Sequence, residues 1–242
     1  MMIRTAFILL WVVLTTAFFS VIAIIASFFS RTGDGVHIIA RIWARSILMG
    51  SRVHVSVDGL SNIEPDKSYI YMANHQSNFD IPVLLGCLPV QFRWLAKAEL
   101  FKIPVFGRAM RGAGYVKIDR FDRESAFESI SEAAQKMKNG VSVMIFPEGT
   151  RSKDGRIKPF KKGGFVMAVD SGVPIVPVII RGTWPIMAKS SLRINRGNVE
   201  MEIAKPIDTI DYSRETKEEL MDQVRMAICQ GFEQGGGRCH KR

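Results

Sequence analysis

Residues 6–30 include no charged side chain and are dense in Ile, Leu, Val and Phe. At about 1.5 Å per residue, a helix of that length reaches across a hydrocarbon core about 30 Å thick. A cleaved secretory leader is the rival reading. Its apolar stretch runs to only about 7–15 residues, so a retained membrane anchor is expected. Residues 36–49 have a different texture: Ile38, Ile39, Ile42, Trp43 and Leu48 recur in a near-helical rhythm around Arg41 and Arg45. Such a helix can lie at the membrane interface with Trp43 at headgroup depth, or pack on a soluble domain as an ordinary amphipathic helix. A full span and a two-helix hairpin dipping into one leaflet both remain open.

Beyond the alternating valines of residues 53–57, strand-like and helix-like patterns take turns. Strands are expected at 69–73, 92–96, 115–118, 141–146 and 175–180. Residues 123–138 read as an amphipathic helix, with Ala126, Ile130, Ala133, Ala134 and Met137 on one side and Asn139-Gly140 as its stop. Residues 160–170 and 214–230 read as further helices, and 193–203, broken at Arg196-Gly197-Asn198, resembles a hairpin. This alternation argues for an α/β fold, a mixed sheet flanked by helices, behind an N-terminal two-helix membrane-anchoring segment. The expected organisation is an anchor over 1–50, an α/β domain over 51–233 and a flexible Gly-rich tail over 234–242. Pro174 and Pro177 delete ladder donors, which predicts an edge position or an irregular middle for their strand.

The formal charge of +10 points to anionic partners: nucleic acid, an acidic membrane surface or phosphorylated substrates. No zinc-finger spacing, RNP-like strand or dense Lys/Arg block supports nucleic acid, so none is expected as a partner. Cys87, Cys229 and Cys239 are odd in number and lack metal spacing, which predicts neither a disulfide framework nor a zinc site and suits a reducing compartment. Arg31, Arg41, Arg45 and Arg52 follow the apolar run and Arg4 alone precedes it. The positive-inside rule then puts the bulk of the chain in the cytoplasm, on the cytoplasmic face of the inner membrane.

Candidate chemistry lies in two loops that each follow an apolar strand. In Asn74-His-Gln-Ser-Asn-Phe-Asp80 a histidine and a carboxylate stand five apart, which brings them together only across a turn, with Asp80 opening the next helix ahead of Pro82. A carboxylate so placed accepts from one imidazole nitrogen and frees the other to take a proton. In Pro147-Glu-Gly-Thr-Arg151, Arg151 can grip a phosphate bidentately while Glu148 orients it or bonds a substrate hydroxyl. Ser77 lies in no Gly-x-Ser-x-Gly elbow, so a serine nucleophile is not indicated.

Asn74-His75…Asp80, Gly114…Asp119-Arg120, Phe146-Pro-Glu-Gly-Thr-Arg151 and Val173-Pro-Ile-Val-Pro-Val178 stand in the order of the four sequence blocks of the glycerolipid acyltransferases. The chain resembles that family over roughly residues 55–205, and within it the bacterial 1-acyl-glycerol-3-phosphate acyltransferases. The resemblance implies transfer of an acyl chain from acyl-CoA or acyl-carrier protein to the sn-2 hydroxyl of lysophosphatidic acid, giving phosphatidic acid, with membrane lipids as neighbours and no bound cofactor or metal. It implies His75 as general base, Asp80 as its orienter, and Lys97, Arg120, Glu148, Gly149, Thr150 and Arg151 around the acceptor phosphate. Pro177 would help line the acyl or donor site. Another acyl acceptor, a non-catalytic phospholipid-binding role and a lipid hydrolase are the competing readings.

Overall fold

The computed structural model describes residues 2–30, 32–119 and 122–240. Two helices come first, α1 (Met2–Ser27) and α2 (Asp34–Ser51). Next follow β1 (Val53–Asp58), β2 (Ile70–Ala73), α3 (Asp80–Cys87), β3 (Arg93–Lys97), α4 (Phe106–Gly112), β4 (Val116–Ile118), α5 (Arg123–Lys138) and β5 (Val143–Ile145). A short β6 (Arg156–Ile157) leads to α6 (Gly163–Ser171), β7 (Ile175–Arg181) and α7 (Thr183–Ile186). The chain closes with β8 (Gly197–Ile203), α8 (Lys217–Gln234) and β9 (Arg238–Cys239). Seven strands make one sheet in the order β1-β8-β7-β2-β5-β3-β4; only the β7–β8 pair is antiparallel, so the mixed α/β sheet expected from the alternation is the one that forms.

Strand parity decides which face each side chain meets. On β2, Ile70 and Met72 join a core with α5, α6 and α8, whereas Tyr71 and Ala73, with Tyr69 just before the strand, join the opposite core against α2 and α3. Val143 and Ile145 of β5 share the first core; Met144, and Trp94 of β3, share the second. Residues that continue the odd parity of β2 and the even parity of β5 therefore aim at the face roofed by the N-terminal helices. His75 and Phe146 are those residues. On the other face, Leu220, Val224 and Ile228 recur every fourth position of α8 and are fully buried, each adding about 1.5–3 kcal/mol over exposure.

The N-terminal helices pack along one another. Arg4 Nη2 donates to the Ser51 carbonyl (3.1 Å), Trp11 Nε1 to the Ser46 carbonyl (3.2 Å) and Trp43 Nε1 to Thr16 Oγ1 (3.1 Å). Farther along α1, Ser27 lies so close to Gly112 of α4 that a Cβ there would sit 2.6 Å from it. The outer side of α1 leaves Phe7, Leu14, Phe18, Val21 and Ile25 exposed, and the helix is long and apolar enough to cross a membrane. α2 packs on the rest of the protein by one side. It buries Val36, Ala44, Ile47 and Leu48, and leaves Ile38 and Ile42 about half exposed.

Four expectations are corrected, the absence of a disulfide among them. β7, which holds Pro177 but not Pro174, lies inside the sheet, between β8 and β2, so the edge alternative is the one that fails. The Pro177 carbonyl accepts from the Ala204 N–H (3.0 Å), just past the last β7–β8 pair, Val178 with Ile203. Amide and carbonyl of a paired strand residue point the same way, so the proline forgoes a single bond where β8 ends. Residues 193–203 are not a hairpin: Asn195 docks on α7, its N–H to the Ile186 carbonyl (2.9 Å) and its Nδ2 to the Pro185 carbonyl (2.8 Å), and only β8 is a strand. The C-terminal segment is held rather than free. β9 pairs with β6, and Cys239 is disulfide-bonded to Cys229 of α8, Cα to Cα 6.1 Å, leaving Cys87 as the free thiol.

Candidate active site

β2 ends at Ala73, and Asn74 prolongs its pairing with side-chain atoms: Nδ2 donates to the Ile180 carbonyl (2.8 Å) and Oδ1 accepts the Ile180 N–H (2.7 Å). That clamp on β7 fixes where the next residue, His75, leaves the sheet. The loop then turns into α3, and Asp80 folds back over it. Its Oδ2 accepts the N–H groups of Gln76 (2.7 Å) and Ser77 (2.8 Å) and lies 2.8 Å from His75 Nδ1. An oxygen already receiving two backbone donors acts as an acceptor, so the shared proton belongs to Nδ1 and the Nε2 lone pair is left open. The imidazole stacks flat on Phe146, ring centroids 3.8 Å apart and planes 8° apart, and Trp94 stacks beyond Phe146 at 5.4 Å. His75 and Phe146 thus stand just past the carboxyl ends of two neighbouring parallel strands, where sites in such sheets collect, and Trp94 packs beside them from the start of β3.

Glu148 is buried and turned inward. Its Oε1 accepts the His75 N–H (2.6 Å) and its Oε2 the Lys158 N–H (2.9 Å), while the Ser152 N–H returns a bond to the His75 carbonyl (2.8 Å). Burial pushes the Glu148 carboxyl up to about 7, against the pull of those two backbone donors. Gly149 follows at φ +70°, a left-handed backbone that disfavours any side chain, and its Cβ position would come 3.2 Å from Lys161 Cε.

A cavity of about 730 Å³, within the about 300–1,000 Å³ usual for small-molecule sites, joins this loop cluster to the N-terminal helices. Its polar wall includes His75, Lys97, Arg151, Lys161 and Lys189; its apolar wall comes from α1, α2, α3 and α4, with Phe19, Ile39, Ile81 and Met110 among the contributors. Lys97 lies 2.9 Å from Glu99. Among the described residues, Arg151 and Lys161 make no ion pair. The arrangement puts an imidazole with an open nitrogen, several cationic side chains and an apolar wall in one continuous space.

The sequence profile of the acyltransferase family matches residues 54–181, a stretch that includes both loops. The chain belongs to the acyltransferase family. It is 43% identical over 173 residues to the chloroplastic 1-acyl-sn-glycerol-3-phosphate acyltransferase BAT2 of Brassica napus, covering 71% of this chain and 50% of that one. Against the human 1-acyl-sn-glycerol-3-phosphate acyltransferase alpha the identity is 32% over 192 residues, covering 76% and 68%. The chain spans about half the length of the first plant relatives it matches. The crystal structure of PlsC, the 1-acyl-sn-glycerophosphate (LPA) acyltransferase from Thermotoga maritima, matches it at a TM-score of 0.84 and 31% identity, over 99% of this chain and 98% of that one.

Of the residues singled out in sequence, the fold brings His75, Lys97, Gly149, Thr150 and Arg151 to the cavity and Asp80 directly behind His75. Glu148 is a tie between loops rather than a cavity residue, and Pro177 is buried within β7 away from the lining. Arg120 lies outside the described residues, as does Arg31. Lys161, Lys189 and Phe146 were not singled out for the site, and Ser77 is a brace for its loop: its Oγ donates to the Met187 carbonyl (2.7 Å). Parity alone could have found Phe146; nothing local points to Lys189.

Proposed function

We propose that this acyltransferase moves a fatty acyl chain from an acyl-CoA or acyl-carrier-protein thioester to the sn-2 hydroxyl of 1-acyl-glycerol-3-phosphate, forming phosphatidic acid. The observation that carries the reading is the His75–Asp80 pair, with Nε2 uncommitted, in a cavity that runs from a cationic loop cluster to an apolar wall of helices. The printed names of the relatives agree with it.

In this reading Nε2 of His75 takes the proton of the sn-2 hydroxyl as its oxygen attacks the thioester carbonyl carbon. Asp80 holds the tautomer and stabilises the imidazolium. The tetrahedral oxyanion then collapses, the C–S bond breaks, and the imidazolium returns its proton to the departing sulfur. The acceptor hydroxyl attacks directly, so no acyl-enzyme forms. Arg151, with Lys97 and Arg120 as further candidates, holds the acceptor's phosphate and thereby places the hydroxyl against His75. Apolar side chains of α1, α2 and α4 take the acyl chain, each fully buried methylene contributing about 0.8 kcal/mol.

The same reading seats the protein on a membrane through α1, on the cytoplasmic face by the excess of arginines after the apolar run. Both ends of α1 lie against the α/β body: Thr5 Oγ1 is 3.4 Å from the Ile194 amide and Ser27 abuts α4. That favours embedding the α1–α2 pair in one leaflet over a full span.

An acceptor screen tests the proposal. Labelled acyl thioester is offered with 1-acyl-glycerol-3-phosphate, glycerol-3-phosphate, other lysophospholipids or no acceptor. Labelled phosphatidic acid from the first acceptor is the expected product. Faster use of glycerol-3-phosphate would replace the acceptor, and labelled free fatty acid without any acceptor would make the protein a hydrolase.

A further inference from the structure

Lys189 stands outside every motif read from the sequence, yet the fold delivers it to the site by a built route. After α7 the chain returns beside the His75 loop, where Ser77 forms an antiparallel bridge with Ala188 in addition to its bond to the Met187 carbonyl. The next residue, Lys189, reaches over the Glu-Gly-Thr-Arg turn: Nζ donates to Thr150 Oγ1 (2.9 Å) and to the Arg151 carbonyl (3.3 Å). It lines the same cavity as His75, Arg151 and Lys161. Among the described residues no carboxylate pairs with Lys189, and Glu148 is turned away onto backbone N–H groups. Partial burial, then repulsion by Lys158, Arg151 and Lys153, holds the Lys189 ammonium below the usual lysine range. An ammonium has three donors; Thr150 and Arg151 take two and leave one for a ligand.

We infer that Lys189 is a direct ligand of the acceptor's phosphate, completing with Arg151 a clamp that bridges the third-block loop and the segment after α7. This inference rests on the function proposed above. Arg151 contributes a planar fork and Lys189 a compact point charge, so the two suit different oxygens of one phosphate. The bond from Lys189 to Thr150 also makes the clamp a single unit.

The test compares wild type, Lys189→Met and Lys189→Arg in steady-state kinetics, with 1-acyl-glycerol-3-phosphate and with unphosphorylated 1-acylglycerol as acceptors. Lys189→Met should raise the KM for the phosphorylated acceptor about tenfold, the effect of one lost charge-assisted contact. Its donor KM, and its kcat at saturating acceptor, should stay within about twofold of wild type. Lys189→Arg should recover most of the loss, and any turnover of 1-acylglycerol should be insensitive to both changes. An unchanged acceptor KM in Lys189→Met, a rise confined to the donor, or an equal loss with 1-acylglycerol would each overturn the inference. A wild type that does not use 1-acyl-glycerol-3-phosphate at all would instead sink the proposed function, a separate result.

Discussion

Asp80 binds two backbone N–H groups and the imidazole with one oxygen, so the loop's shape and the tautomer of His75 are set by the same atom. Asp80→Asn keeps the size but removes the charge that, in the proposed mechanism, steadies the imidazolium. Its kcat should fall by about 10³–10⁴-fold with the acceptor KM little changed, as steady-state rates on the folded variant will show. Glu148 makes a different prediction, about stability. Burial raises its carboxyl to about 7, above its ordinary 4.5, so the folded state holds the proton more tightly than the unfolded chain does. Stability from this group is therefore fully present below its ordinary value and lost as pH rises through about 7. Melting temperatures at pH 5 and pH 8 should show that decline in wild type and a flatter profile in Glu148→Gln. His75, Asp80 and Arg151 were legible because their chemistry is local, a few residues after an apolar strand. Lys189 was not, because its partner Thr150 lies 39 positions away and meets it only through the turn after α7.

Among the elements, the strands that carry the loops do the positioning. Parity places His75 on the face of α2 and α3, and the Asn74 side chain carries the β2–β7 pairing past the end of β2. Asn74→Ala leaves the buried amide and carbonyl of Ile180 without those partners and should destabilise the fold by about 2–4 kcal/mol in denaturant unfolding. A loss below about 0.5 kcal/mol would show that the clamp is replaceable. Strands, helix α5 and its Asn139-Gly140 stop were readable because period and punctuation are local signals. The interior place of β7 was not: a proline warns of a missing donor, but only the register shows that the donor is missing where β8 has ended. The hairpin reading of 193–203 failed for a related reason, since Asn195 finds its partners on α7.

At the scale of the whole molecule, α1 is both an outward apolar surface and a wall of the cavity. One side turns Phe7, Leu14 and Phe18 outward, and another lends Phe19, Ser20 and Ala23 to the cavity, so in the proposed function the helix that seats the protein on a membrane also lines the acyl site. Toward the C-terminus the Cys229–Cys239 disulfide, across a ten-residue separation, ties β9 to α8, while backbone pairing joins β9 to β6. An odd cysteine count hid that pairing, because nothing in the spacing says which thiol is left over. A loop of this size favours the folded state by about 2–3 kcal/mol, so Cys239→Ser should lower the melting temperature while leaving turnover at permissive temperature nearly unchanged. The central claim, that His75 is the base for direct attack by the acceptor, has a more immediate test. Purified His75→Ala, with wild-type melting behaviour, is assayed for labelled phosphatidic acid from acyl thioester and 1-acyl-glycerol-3-phosphate. Turnover should fall by about 10²–10⁴-fold, and near-normal turnover would contradict the claim.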